Sequence, residues 1–517
     1  MEGLSLEEKI GQMLVVGFHG TEAPPHIIQW LKEGRIGGVI LFARNITTPK
    51  QVHELTQSLH QAAHHPILIA IDQEGGTVAR LREGYTESPG AMALGAADDP
   101  ELTEKVSSIL ATELRALGVN WNLAPAIDIT HNIDNPSVGT RSIGSDPQHV
   151  ARHAKAQITG YQTTGVAATA KHYPGKANTP VDPHVELPVI TGNLEEMWNT
   201  DLVPFKAAIK AKVASILITH VQFKDIEPTY PSTLSPRIIQ GLLRDKMGYT
   251  GMVTTDCMEM KAVTNKYGPA ESAILAANAG ANIILFSHTR EYQEQVYTAL
   301  LDAAKTGRIP LSNINYSIQR IKEVKEKYCT LPQPPLTAIR KPSHLETTLK
   351  AAKAAIIPHH IAPNTIPINT HASWALIEYA SHIEQEQLTP EIPTQLAKIL
   401  QKHIPRLHAT WLDPKNPTPK QLEKAKKLTE TTQHTILATR NAHITPNQQK
   451  TAEKLLTKTT ILLCLRNPYD AGKLNCPTTL LTLGDSQPSL QAAMDALLGR
   501  YTPNAKPRVP LEMKQGL

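Results

Sequence analysis

At 517 residues the chain exceeds one ordinary hydrophobic core and calls for two or three domains. A hydrophobic share of 41% supports well-packed globular domains, while a net charge of only +5 and the lack of any long Lys/Arg block argue against nucleic acid or an anionic membrane as partner. The partner to expect is a small neutral molecule. Cys257, Cys329, Cys464 and Cys476 lack Cys-x-x-Cys spacing, and the 22 histidines show no His-Glu-x-x-His or comparable ligand spacing. Both facts speak against a zinc site, a disulfide framework or a metal enzyme, so no metal and no cofactor is expected.

The N-terminus begins acidic and enters a helix at once, with Ser5 and Glu8 spaced as a capping box. This reads as a chain with no signal peptide. No apolar run approaches the roughly 20 residues of a membrane helix. A cytoplasmic monomer or homodimer is the expectation.

In chain order, apolar strand-like runs occur at Leu14–Phe18, Gly37–Phe42, Ile67–Asp72, Val119–Ala124, Val166–His172, Ser215–His220, Gly251–Asp256 and Ile283–Ser287. Helical patterns fill most of the gaps, at Glu101–Leu117, His149–Thr163, Leu194–Ala211, Pro236–Met247 and Pro269–Ala279. Alternation at this count predicts an N-terminal (β/α)8 barrel, since a doubly wound open sheet more often stops at five to seven strands. Active sites on barrels lie at the C-terminal strand ends. Asp72, Lys171, His172, His220 and Asp256 all fall there, which core packing alone does not explain.

A last helix at Ile309–Lys327 leads into a proline-rich span between Cys329 and Ser343, the composition of a stiff linker. The division expected is a barrel over 1–330, a linker over 331–343 and a smaller α/β layered domain over 344–517. Strand candidates in the latter are Trp374–Tyr379, Thr435–Thr439, Thr460–Leu465 and Thr478–Leu483, with a helix at Lys420–Thr432.

The stretch from Ala168 to Ile190 carries the densest chemistry. A short buried strand ends in Lys171-His172, Pro174-Gly175 forces a turn, and Asp182 and His184 follow two residues apart. In an extended segment that spacing points both side chains to one side. A carboxylate beside an imidazole fixes its tautomer and raises its basicity, which suits proton transfer. Asp-x-His alone is common in surface loops; its place after a strand and next to Lys-His-x-Pro-Gly sets it apart.

These residues together resemble family 3 glycoside hydrolases, in their β-N-acetylglucosaminidase branch. The resemblance rests on Lys171-His172-Tyr173-Pro174-Gly175 with Asp182 and His184, on Ser215–Phe223, on the segment from Leu234, and on Gly251–Met260 around Asp256. Asp72–Arg80, Asn122–Ile129 and the Asn135–Gly144 segment around Arg141 agree with it, and Leu465–Asp470 and Ala496–Ala505 extend it weakly into the second domain. It implies a two-domain retaining enzyme that binds a small carbohydrate, an N-acetylglucosaminide. Asp256 is the implied nucleophile, although by itself an Asp there reads equally well as an N-cap. His184, oriented by Asp182, is the implied acid/base in place of a second carboxylic acid. Asp72, Arg80, Arg141, Lys171, His172, His220 and Met260 are the implied substrate-binding group, and the Arg and Lys among them otherwise read as ion-pair partners.

The loop departs from the family pattern. Lys176 and Ala177 stand where His-Gly is usual, and Pro183 stands where Ser is usual. Pro183 fixes its own φ and pushes Asp182 toward extended conformations. Lys176 adds a cation near the sugar site, and an ammonium near His184 lowers the imidazole pKa. Three functions fit: a hydrolase of small glycosides such as muropeptide disaccharides from cell-wall recycling, a phosphorylase on the same fold, or a silent sugar-binding protein. The intact Asp182, His184 and Asp256 weigh against the silent protein, and the hydrolase is the reading preferred.

Overall fold

The computed structural model describes residues 3–176, 179, 186–380 and 394–512. All eight expected barrel strands form: β1 (Leu14–Val16), β2 (Gly38–Leu41), β3 (Leu68–Ile71), β4 (Trp121–Asn122), β5 (Ala167–Tyr173), β6 (Ser215–Ile218), β7 (Met252–Cys257) and β8 (Ile283–Phe286). They close in sequence order into a parallel barrel, β1 pairing with β8. Their side chains are almost all buried because helices cover the outside, which is why they read as continuous apolar runs rather than alternating ones. β4 is cut short before Pro125, which has no N–H to offer a ladder.

Two helices differ from the sequence expectation. The run from Leu194 is two helices, Leu194–Asn199 and Leu202–Lys210, broken at Thr200. Restarting places Pro204 in a first turn, where its missing N–H costs nothing; in one continuous helix it would remove an internal bond. Conversely, the helix beginning at Pro269 is preceded by a helical segment from Lys261, the two meeting at Gly268 with φ 68°. The residue before a proline is disfavoured in α geometry, and glycine tolerates the turn.

The second sheet contains Trp374–Tyr379, His434–Thr439, Thr460–Cys464 and Thr478–Leu481, as expected, and two further strands, Ile357–His360 and Leu407–Leu412. Those two are its edges, the first antiparallel and the second parallel to its neighbour. An edge strand tolerates Pro358 and exposed polar residues such as His408, so neither carries an apolar signature.

The two domains share a buried seam. Met92, Ala93, Ala96 and Ile133 from the first domain pack into one cluster with Ile377, Leu437, Leu462 and Tyr469 of the second. The approach leaves no room for a side chain at three glycines: a Cβ on Gly139 would lie 2.8 Å from Asn467 Oδ1, one on Gly144 2.9 Å from the Arg508 carbonyl, and one on Gly484 2.5 Å from the Pro89 carbonyl. Gly139 opens the turn Gly139–Arg141, so the second domain abuts the segment that carries Arg141. Among the described residues no helix is long and apolar enough to cross a membrane.

Candidate active site

The C-terminal ends of β3 and β5 and the segment that follows β4 bring Asp72, Arg80, Arg141, Lys171 and His172 together. Lys171 and His172 are consecutive, and in a regular strand their side chains would point to opposite faces. The β5–β6 register shifts between Lys171 and Tyr173, a bulge-like irregularity of the kind that re-aims side chains. Both residues thereby reach carboxylates at the strand ends.

Lys171 Nζ donates to Asp72 Oδ1 at 2.8 Å and lies 2.6 Å from Glu74 Oε1. Arg141 binds Glu74 with both Nε and Nη2 at 2.8 Å, its Nη1 donates to the Ser137 carbonyl, and its Nη2 lies 3.2 Å from His172 Nε2. His172 Nδ1 pairs with Asp128 Oδ2 at 2.7 Å. Arg80 reaches Asp72 Oδ2 at 3.3 Å and lies over the Phe42 ring. Asp72, Arg80, Arg141, Lys171 and His172 thus form one network, and the ion-pair reading of the basic residues is part of the truth: their charges are committed to Asp72 and Glu74.

Burial shapes the electrostatics. Burial alone would raise the Glu74 carboxyl, but Arg141 and Lys171 hold it well below the usual carboxylate range. Asp72 is lowered in the same way, against burial, by Lys171 and Arg80. Asp128 goes the other way, raised by burial despite Lys176 and Arg141. Lys171 is raised, Asp72 and Glu74 outweighing the cost of burial.

Asp256 sits at the end of β7, half-buried, with Oδ1 accepting from the Cys257 N–H at 2.8 Å. It is no helix cap: the following helix is capped by Met260, without a side-chain bond. Met260 is buried there. His220 is fully buried, with Nδ1 2.7 Å from Thr233 Oγ1 and Nε2 2.9 Å from the Cys257 carbonyl. These contacts make it a brace for the strand end beside Asp256. Asp182 and His184, with Ala177 and Pro183, lie outside the described residues.

Two members of the network were not singled out as site residues in the sequence. Glu74 and Asp128 lie inside the quoted segments, but what marks them is their partners, Arg141 at 67 residues' separation and His172 at 44. No local spacing reveals that.

Glu74 gives a direct test. Removing one partner of a buried ion pair costs about 3–5 kcal/mol because the remaining charge is stranded, so Glu74→Gln should lower chemical-denaturation stability by that order near neutral pH. Because the native Glu74 pKa lies below the unfolded value, its contribution is fully present above the unfolded carboxylate pKa of about 4.3 and shrinks as pH falls. The gap between wild type and Glu74→Gln should therefore narrow toward acid. A gap that is constant with pH, or absent, contradicts the pairing.

Comparison with known proteins agrees with the barrel fold. Residues 5–324 match the glycosyl hydrolase family 3 N terminal domain. A β-hexosaminidase of Stenotrophomonas maltophilia (strain R551-3) is 36% identical over 291 residues, covering 55% of this chain and 86% of its own. A β-hexosaminidase A of Pseudoalteromonas piscicida is 32% identical over 369 residues, covering 65% of this chain; the match spans only 61% of that relative's length. A solved family 3 β-N-acetylglucosaminidase from Paenibacillus sp. str. FPU-7 superposes with TM-score 0.91 at 32% identity, over 98% of this chain and 99% of that one. With its barrel, its strand-end charge network and a family match over most of its length, the chain belongs to glycosyl hydrolase family 3.

Proposed function

We propose that the protein is a retaining β-N-acetylglucosaminidase that removes terminal β-linked N-acetylglucosamine from small glycosides. The observation that carries this reading is the network that joins Asp72, Lys171, Glu74, Arg141 and His172 at the mouth of the barrel, the end at which β7 presents Asp256. Preorganised donors and acceptors of this kind suit a polyhydroxylated, acetamide-bearing sugar. The relatives' names, β-hexosaminidase and β-N-acetylglucosaminidase, support the sugar that is cleaved.

In the proposed mechanism the Asp256 carboxylate attacks the anomeric carbon while an acid protonates the departing oxygen; water then cleaves the glycosyl ester, with the same group acting as base. A side-chain carboxylate can form the glycosyl ester directly, as the nucleophile of a covalent mechanism. His184, oriented by Asp182, is assigned the acid/base role on the strength of the family resemblance. An imidazole gives and takes a proton near neutrality without a raised carboxyl pKa.

The test is turnover of an aryl β-N-acetylglucosaminide against the matching glucoside, with and without phosphate. A site built to hydrogen-bond a group rejects the analogue lacking it by orders of magnitude. The acetamido sugar should be preferred by about 10²-fold or more, with no need for phosphate. Equal rates on the two sugars refute the substrate; sugar 1-phosphate as main product makes the enzyme a phosphorylase.

A further inference from the structure

Lys176 is only 4% exposed, yet among the described residues its ammonium has neither a hydrogen-bond nor an ion-pair partner. Its backbone is held firmly. The N–H donates to Asp128 Oδ1 at 3.0 Å, the carboxylate whose other oxygen takes His172, and the carbonyl accepts from Asn135 Nδ2 at 3.2 Å. Burial, with Arg141 nearby, pushes its pKa down to about 8, against the pull of Asp256 and Asp128; Lys171 adds repulsion. The Lys176 backbone is thereby anchored on the carboxylate that pairs with His172, at the edge of the charge network. Burying an ammonium without a partner is costly, and such a cost persists where function uses it.

What the ammonium serves follows from the rest of the site. The sugar to be bound is neutral, and Asp72, Arg141, Lys171 and His172 already supply donors and acceptors for it. An additional cation matches a charge outside that network, on the group leaving from or arriving at the anomeric carbon. Charge balance points the same way. Asp72, Glu74, Asp128 and Asp256 face Arg80, Arg141, Lys171 and Lys176, and when Asp256 becomes an ester the cations are in excess, with Lys176 losing its strongest attraction.

Resting on the proposed glycosidase reading, we infer that Lys176 determines specificity by receiving an oxyanion beside the anomeric centre, carried as a carboxylate on the leaving group. The same oxyanion chemistry admits a second source, inorganic phosphate. In that case a phosphate oxygen bonds to the anomeric carbon of the glycosyl ester, the bond to Asp256 breaks, its carboxylate is restored, and sugar 1-phosphate leaves.

The experiment compares 2- and 3-carboxyphenyl β-N-acetylglucosaminides with their uncharged carbamoylphenyl counterparts, in wild type, Lys176→Met and Lys176→Arg, each with and without phosphate. Turnover of the carbamoyl glycosides by wild type tests the glycosidase reading alone; its absence overturns that reading. Given that turnover, wild type should favour a carboxylated glycoside in kcat/KM by about 10- to 100-fold, the worth of one charge-assisted hydrogen bond. Lys176→Arg should keep the preference and Lys176→Met lose it. Meanwhile Lys176→Met should melt no lower than wild type, because it removes a buried charge that has no ion partner to strand. Phosphate should inhibit wild type competitively and Lys176→Met not at all; release of sugar 1-phosphate that depends on Lys176 instead identifies phosphate as the source. A carboxylate preference that survives in Lys176→Met, or no preference together with no phosphate effect in wild type, overturns the inference. If Lys176→Met fails to fold, Lys176→Gln takes its place in the same comparison.

Discussion

Asp256→Ala should abolish cleavage of every β-N-acetylglucosaminide, activated or not, by about 10⁴-fold or more, as loss of a catalytic nucleophile does elsewhere. The carboxylate is assigned to the first chemical step, so no improvement in leaving group compensates for it. Stability should scarcely change. The described contact of Asp256 is a local bond to the Cys257 N–H, and it caps no helix, so the variant should unfold within about 1 kcal/mol of wild type. Added azide gives a sharper readout. In Asp256→Ala a small anion can occupy the space beneath the sugar and attack the anomeric carbon from the face the carboxylate used, yielding the α-glycosyl azide. A variant that retains more than about a hundredth of the parental rate on unactivated substrates, or that yields only the β-azide, excludes Asp256 as nucleophile.

The barrel was readable because its strands are sheathed by helices and so write themselves as short apolar runs, several of them ending in polar residues at the mouth. Asp72, Lys171, His172, His220 and Asp256 could be placed at strand ends on that basis. The role of His220 could not, because its partners, Thr233 and the Cys257 carbonyl, are brought to it by packing. The edge strands Ile357–His360 and Leu407–Leu412 escaped for the opposite reason, being half-solvated and under no pressure to be apolar. The split of Leu194–Lys210 into two helices was signalled by Pro204 but outweighed by the apolar pattern around it. In the site itself, single residues were legible and their pairing was not. That Glu74 is the common anchor of Arg141 and Lys171 is a fact of three dimensions.

Removing the proposed acid/base should give a different signature from removing the nucleophile. Retention takes two steps that share one proton-transferring group: it donates to the departing oxygen, then removes a proton from the incoming water. His184→Ala withholds both, but the two losses are unequal when the leaving group is good. A phenolate that departs readily barely needs the acid, so formation of the glycosyl ester survives, whereas its hydrolysis slows by about 10²-fold or more. The ester should then accumulate. Intact-protein mass spectrometry of His184→Ala mixed with an activated aryl β-N-acetylglucosaminide should show one added N-acetylhexosamine, and digestion should map it to the peptide containing Asp256. Substrates with poor leaving groups should lose far more rate than activated ones, since for them the acid matters in the first step as well. Azide should restore turnover of the activated substrate and give the β-azide, the reverse of its product with Asp256→Ala, because it now attacks the ester from the face that water uses. Asp182→Ala should fall between wild type and His184→Ala, as an orienting partner acts only through the imidazole it holds. If the adduct maps to another peptide, or if His184→Ala handles activated and unactivated substrates as well as the parent, a different residue carries the proton, and Lys176, buried beside Asp128 with its pKa near 8, is the first to examine.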